Sequence, residues 1–422
     1  MKPKKANINK DINILSLFSG CGGMDLGFEG GFSVFRKSVP ENEHFIDSFI
    51  NEDLVRLKQT RFKMVFANDI LIEAYNTWSH HFQKLGYSPD IYHRNSIVDL
   101  VKRHRNGEII FPENIDIVTG GFPCQDFSVA GKRQGFKSRK DHNGKIINGD
   151  IASEETRGKL YFWMKEVIDI TKPKIFIAEN VKGLTNFSDV KDIIQKDFST
   201  ADGSGYIVLP PKVLHAADYG VPQSRERVIF IGIKKSALKP KALEALCSLT
   251  IPDQYNPYPK PTHAFNSSDK NLKPPVVLKD IFSILEEPQS SKDESQKYFS
   301  KAKYMGAHCQ GQKEISLEKI GPTIRSEHHG NIEYRRLSKE HGGIIENELL
   351  KGLEERRLTP RECAMIQTFP LEYEFVIPDT TRKKSFIVSP SAAYKVIGNA
   401  VPPLLAYHIA KRIEDIWSLY FI

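Results

Sequence analysis

The sequence predicts an α/β fold: a doubly wound, mostly parallel sheet, joined to a second, irregular lobe. Three observations lead there. Apolar runs with turn-like ends recur along the chain, at Ile12–Phe18, Met64–Ala67, Ile115–Thr119, Lys174–Ala178 and Arg227–Ile233, each fit for a buried strand. Helical stretches separate them; in Lys159–Asp169, Leu160, Trp163 and Val167 share one helical face. Strands alternating with helices imply a parallel sheet covered on both sides, with ligands bound past the carboxyl ends of its strands. From Lys234 to Glu355 the alternation stops, and Pro, Ser, Lys and Glu become frequent. The expected division is residues 1–234, a lobe of 235–355, and a C-terminal helical segment of 356–422 that returns to the first part.

Composition narrows the classes. The 422 residues are 40% hydrophobic and 27% charged, as in an ordinary globular protein. No apolar run approaches the ~18 residues of a membrane span, so no membrane partner is expected. The five cysteines (Cys21, Cys124, Cys247, Cys309, Cys363) are scattered, odd in number and without a CxxC pair. That speaks against a disulfide framework or a zinc knot, and for free thiols in a reducing cytoplasm. No metal site is expected. Lys+Arg exceed Asp+Glu by 60 to 52, which permits a polyanionic partner. Within 236–355 the two classes balance at 17 each, so the excess of +8 lies outside the lobe.

Taken in order, the first element is strand, glycine loop, helix, with Ser16-Leu17-Phe18-Ser19-Gly20-Cys21-Gly22-Gly23 as the loop. Asp25 stands where a dinucleotide fingerprint needs its third glycine, and no Gly-Lys-Ser/Thr follows, so neither phosphate loop fits. Asn68-Asp69-Ile70 ends the second strand: a carboxylate for two ribose hydroxyls, and an apolar cover for an adenine face. Gly120-Gly121-Phe122-Pro123-Cys124 brings a thiol to the sheet edge, a presented nucleophile if its thiolate is favoured. Gly131–Lys145 is a basic loop of six Lys/Arg and one Asp, suited to closing over a phosphate backbone, with Lys132 and Arg133 at its start. Lys174–Ala178 delivers Glu179-Asn180-Val181, and a carboxylate ending a buried strand needs a purpose or a partner. In Gln223-Ser224-Arg225-Glu226-Arg227, Arg225 and Arg227 alternate with Glu226 and are expected on one face, one of them pairing with Glu179. Thr359-Pro360 opens a helix, and Leu405, Ile409, Ile413 and Ile416 form a buried stripe in the last one.

Together these blocks resemble the cytosine-5 DNA methyltransferase family. In the family's order they are Phe18–Gly23, Pro123-Cys124-Gln125, Glu179-Asn180-Val181, Gln223–Arg227, Arg357–Ala364 and Gly398-Asn399-Ala400-Val401-Pro402-Pro403. The resemblance implies an S-adenosylmethionine-dependent Rossmann-like fold, S-adenosyl-L-methionine as donor, and a cytosine flipped from double-stranded DNA. It implies Cys124, Glu179, Arg225 and Arg227 as catalytic groups, and Phe18, Gly20, Gly22, Asp69, Ile70, Leu160 and Asn399 around the cofactor. The family's Gly-Asp-Ile is Asn95-Ser96-Ile97 here, so Ser96 or Asp99 is expected to replace the missing carboxylate. The lobe would read DNA through Thr323, Arg325, Arg335 and Arg336, with Lys132 and Arg133 gripping phosphates. Residues 41–63 and 141–155 look inserted and are expected to be surface decoration. The bacterial restriction–modification type is implied, with a cognate endonuclease as a genetic partner and a monomeric enzyme. The rivals are a transfer-RNA cytosine methyltransferase, a redox enzyme using Cys124, and a non-catalytic DNA-binding regulator.

Overall fold

A computed structural model describes residues 10–123, 160–186, 188–203, 205–326 and 331–421. Among these, eight strands form the main sheet: β1 (Ile12–Leu17), β2 (Phe62–Asn68), β3 (Tyr92–His93), β4 (Ile117–Gly120), β5 (Ile175–Val181), β6 (Tyr206–Val208), β7 (Lys212–His215) and β8 (Glu226–Lys234). Their order is β7-β8-β5-β4-β1-β2-β3, with β6 also paired to β8. Strands β1 to β5 are mutually parallel, and β8 runs antiparallel to β5, β6 and β7. All five expected strands form. The short β3, β6 and β7 lack an apolar run long enough to show in the sequence.

The helices lie on both faces of this sheet. They are α1 (Gly23–Glu29), α2 (Ile72–Phe82), α3 (Ile97–Arg105), α4 (Leu160–Thr171) and α5 (Ser188–Ser199), then α6 (Pro360–Ile366), α7 (Pro390–Asn399) and α8 (Pro403–Tyr420). Two cores result, one on each side. One joins β1 and β5 to α4 through Leu15, Val118, Met164 and Phe176; the other joins β1 and β8 to α8 through Ile14, Ile231, Leu405 and Ile409. The antiparallel β8 is apolar throughout Val228–Phe230 because both its faces are covered.

Helix α8 lies directly on α1. A Cβ on Gly27 would stand 2.4 Å from Ala406 Cβ, and one on Gly23 would stand 2.2 Å from Val401 O. Glycine at both positions is what lets the two backbones approach this closely. Helix α6 opens with a capping box: Thr359 Oγ1 accepts from the Glu362 amide at 3.0 Å, and the Glu362 carboxylate accepts from the Thr359 amide at 2.9 Å.

The segment expected to be decoration before β2 is part of the core. Strands Ser33–Phe35, Ile46–Phe49 and Leu54–Leu57 form a small antiparallel sheet, with Val55 and Leu57 fully buried against the cluster that contains Tyr407. Tyr407 also donates to Lys58 O at 3.0 Å.

Beyond β8 regular structure thins to short helices (Pro240–Cys247, Leu278–Phe282, Glu294–Lys297, Glu346–Leu349) and one strand, Tyr334–Arg336, paired with Arg356–Arg357. The first part of this stretch lies against the sheet domain: Tyr258 donates to Ile229 O, and Arg412 of α8 donates to Asn256 O.

Candidate functional site

Parallel pairing brings the ends of four strands to one edge. Leu17 is level with Asn68 and Gly120, and Gly120 is level with Ala178. Phe18, Asp69 and Gly121, just past the ends of their strands, and Glu179, near the end of β5, therefore gather along that edge.

The glycine loop is held by its neighbours. Ser19 N–H donates to Asn68 O at 2.8 Å, and the Asn68 amide donates back to Ser19 Oγ at 3.1 Å. Tyr92 hydroxyl donates to Gly20 O at 2.9 Å, a clamp with no sequence signal of its own. Phe18, Gly20 and Gly22 all take positive φ, at 53°, 55° and 82°. At Gly20 a Cβ would meet nothing within 4 Å, so the backbone there faces open space. At Gly22 a Cβ would stand 2.7 Å from Phe82 and Trp78. Gly22 serves packing, whereas Gly20 leaves open space beside the loop.

Asp69 Oδ2 accepts from Gly20 N–H at 3.1 Å and Oδ1 from Leu71 N–H at 3.0 Å. Each oxygen keeps a lone pair for a hydroxyl donor. Burial pushes this carboxyl above its ordinary range, opposed by those amides and by Lys395. Lys395 sits one helical turn before Asn399 on α7, and the sequence reading did not single it out. Ile70 is exposed and Phe18 half-buried beside this loop, while Leu160 is buried at the start of α4. Ser96 is the N-cap of α3, its Oγ accepting from Val98 N–H at 3.3 Å, and Asp99 is exposed in the first turn. Asn399 is the exposed last residue of α7.

Glu179 is buried and paired. Arg227 Nε lies 2.7 Å from Glu179 Oε1, both side chains nearly covered. On the other side, a Cβ on Gly121 would stand 2.9 Å from Glu179 Oε2, so glycine is what leaves room for the carboxylate. Asn180 Nδ2 donates to Phe122 O at 3.2 Å, tying the Gly121-Phe122-Pro123 turn to β5. Cys124 follows this turn but lies outside the described residues, as do Lys132 and Arg133.

Other arginines do not do what their pattern promised. Arg225 does not join Arg227 at Glu179. Its guanidinium donates to Ile324 O (3.0 Å), Gly398 O (3.1 Å) and Ala400 O (2.7 Å), a clasp between the lobe and the end of α7. Arg335 and Arg336 are buried and ion-paired, not presented to a groove: Arg335 meets Glu348, and Arg336 meets Glu348 and Glu287. Each needs a carboxylate once withdrawn from water. Arg325 is half-buried and paired with Glu333 at 2.9 Å. Thr323 Oγ1 donates to Ser224 O, which joins the lobe to the Gln223–Arg227 strand entry. Gln223, quoted in the motif without a role, is fully buried there: its Oε1 accepts from Ile324 N–H at 3.1 Å and its Nε2 donates to Gln367 Oε1 at 2.8 Å.

Residues 12–415 match the profile of the C-5 cytosine-specific DNA methylase family. The type II methyltransferase M.BsuRI of Bacillus subtilis is 31% identical over 97% of this chain and 81% of its own. M.HpaII of Haemophilus parainfluenzae, another type II methyltransferase, is 28% identical over 91% and 92%. The fold is shared with solved structures, including the Dnmt2 methyltransferase of S. pombe, with a TM-score of 0.53 at 14% identity over 96% of this chain and 99% of that one. A methyltransferase encoded in an E. coli prophage matches with a TM-score of 0.50 at 20% identity, covering 97% and 100%.

Proposed function

The chain belongs to the C-5 cytosine-specific DNA methylase family, and from that premise we propose that it transfers a methyl group from S-adenosyl-L-methionine to C5 of a cytosine flipped out of a specific duplex DNA sequence. The observation that carries this reading is the buried Glu179–Arg227 pair, set against the turn that leads to Cys124.

Cytosine C5 is too weak a nucleophile to take a methyl group unaided. Addition of the Cys124 thiolate at C6 turns the ring into an enamine and makes C5 nucleophilic. Glu179 holds or protonates N3, which makes C6 more electrophilic, and Arg227 orients Glu179 while reaching the O2 edge. Loss of the C5 proton, to water, then lets Cys124 leave and restores the aromatic ring. The reacting atoms are out of reach inside a base stack, so the base is extruded, at a cost of a few kcal/mol.

S-adenosyl-L-methionine supplies an electrophilic methyl group when bound. The open backbone at Gly20, the exposed Ile70, the Asp69 carboxylate and the exposed Asn399 fit such a nucleoside. Phe18 and Leu160 would line its apolar side, Ser96 would face the adenine amino group, and Gly22 shapes the loop.

Residues 235–355, with Thr323 and Arg325, would form the DNA-reading lobe, and Lys132 and Arg133 would grip phosphates. The relatives' type supports a restriction–modification enzyme; we further infer that it is cytoplasmic and monomeric and protects DNA from a cognate endonuclease. Among the described residues no helix is long and apolar enough to cross a membrane.

The test is methyl transfer from labelled cofactor to duplex DNA and, separately, to transfer RNA. Label on C5 of cytosine in DNA is expected, and Cys124→Ser is expected to abolish it. Label in RNA alone, or on an exocyclic nitrogen, refutes the proposal.

A further inference from the structure

Between Thr380 and Ala410 the chain carries four Lys/Arg and no Asp or Glu. Three of these cations are consecutive, Arg382-Lys383-Lys384, and stand at the tip of a hairpin. Its strands, Ile377–Pro378 and Phe386–Val388, pair antiparallel, and Asp379 N–H donates to Ser385 O at 2.9 Å across the neck. All three cations are exposed, and among the described residues none has an ion pair or a side-chain hydrogen bond. The hairpin's one carboxylate is engaged by Thr381: Asp379 Oδ1 accepts from its hydroxyl at 2.6 Å and its amide at 2.9 Å. Those bonds, more than the charge of Arg382, hold the Asp379 carboxyl below its ordinary range. By contrast Lys297, on the lobe helix that packs against the first strand, is paired with Glu294.

The foot of the hairpin is held from two sides. Ser295 Oγ of the lobe accepts from the Phe375 and Val376 amides at 3.1 and 3.0 Å, just before the first strand. Tyr298 meets Phe386 edge-on, with ring centroids 5.3 Å apart. Asn76 of α2 donates to Ile387 O at 3.4 Å, and Val388 is fully buried. Helix α7 begins two residues beyond Val388 and ends at Asn399, and its ten residues span about 15 Å. Duplex DNA covers that distance in about four to five base pairs and carries about nine phosphates along it.

We propose that Arg382, Lys383 and Lys384 grip the phosphate backbone of duplex flanking the target, a contact separate from the sheet edge and from the lobe's reading residues. The inference rests on duplex DNA being the substrate. Three cations on an anchored hairpin give up no carboxylate on meeting phosphates, so the charge-assisted bonds are not offset by broken pairs. Phosphates are alike at every sequence, so the contact adds affinity and position but no site preference. Each cation that neutralises a phosphate releases a counterion, which makes the contribution readable as a salt dependence.

The experiment measures binding of a fluorescent duplex by anisotropy over a series of sodium chloride concentrations, for the wild type and for a variant carrying Arg382→Gln, Lys383→Gln and Lys384→Asn. Asparagine is used at 384 because that residue takes a positive φ of 59°. The slope of log affinity against log salt is expected to become shallower by about 2.7, or about 0.9 for each phosphate contact, and affinity at physiological salt to fall on the order of tenfold. A duplex lacking the site mapped by bisulfite sequencing should lose the same factor, so the ratio of specific to non-specific affinity stays within about twofold of wild type. Lys383→Gln alone is expected to remove about 0.9 of the slope, and Arg382→Lys with Lys383→Arg and Lys384→Arg to keep all of it. The three side chains are exposed, so the variants are expected to melt with the wild type. An unchanged slope in the triple variant, or a loss confined to the duplex that carries the site, overturns the hairpin contact alone. Failure of the wild type to bind any duplex overturns the functional reading beneath it, and the contact with it.

Discussion

Replacing Glu362 with alanine tests what the buried Arg356–Glu362 pair contributes to stability. Glu362 is 1% exposed. Its carboxylate accepts from Arg356 Nη1 at 2.9 Å and Nη2 at 2.8 Å, and from the Thr359 amide at 2.9 Å. Burial alone would raise this carboxyl, but the facing Arg356 outweighs it and holds it below the ordinary range. Removing one partner of a buried pair costs roughly 3–5 kcal/mol, because the other charge is left uncompensated. Arg356 retains Glu287 at 3.0 Å, so the lower end applies, about 3 kcal/mol. The Thr359 amide, buried and left without its acceptor, adds about 1 kcal/mol. The total of about 4 kcal/mol is a large share of the 5–15 kcal/mol typical of a whole domain. Glu362→Gln keeps an acceptor for Thr359 and gives up the charge, so it is expected to cost about half as much. Urea denaturation followed by circular dichroism reads both values. A cost below about 1 kcal/mol for Glu362→Ala, or equal costs for the two variants, refutes the reasoning.

Three further outcomes are expected. Gly121→Ala places a methyl group 2.9 Å from Glu179 Oε2, so methyl transfer should fall at least tenfold at unchanged thermal stability; full activity sinks the placement. Burial pushes the Asp25 carboxyl up to about 6, against hydrogen bonds from Ser16 and Trp78. A raised carboxyl stabilises the fold at low pH and loses that contribution as pH rises through the folded value. The wild type should therefore lose about 1.4 kcal/mol between pH 5 and 8 relative to Asp25→Asn, and parallel pH profiles contradict this. Burial beside His263 pushes the His408 imidazole down to about 3. A depressed histidine gives full stability above its unfolded value near 6.5 and loses it as pH falls. Acidification from pH 7 to 5 should cost the wild type about 2 kcal/mol more than His408→Leu, read by denaturation at both pH values.

Strand positions were legible because a buried strand must carry consecutive apolar residues, and that pattern is local. The ends of those strands then indicated where Gly20, Asp69, the Gly121–Pro123 turn and Glu179 would gather, since parallel strands finish on one edge. The pairing of Glu179 with Arg227 was likewise legible as a buried carboxylate in want of a cation. The three short edge strands were not, for two to four residues carry no periodicity. Nor was the small sheet before β2, whose buried Val55 and Leu57 lie between charged residues.

What sequence alone determined was the order of the motif blocks and the five longer strands that carry them. What only the tertiary structure decided was the fate of the other arginines. Arg225, Arg335 and Arg336 look alike in a string of letters, yet one holds the carbonyls of Ile324, Gly398 and Ala400, and the other two neutralise Glu287 and Glu348. A guanidinium faces solvent, a phosphate or a buried acceptor according to what the fold sets beside it. For Arg225 that neighbour lies 175 positions along the chain, beyond the reach of any local pattern.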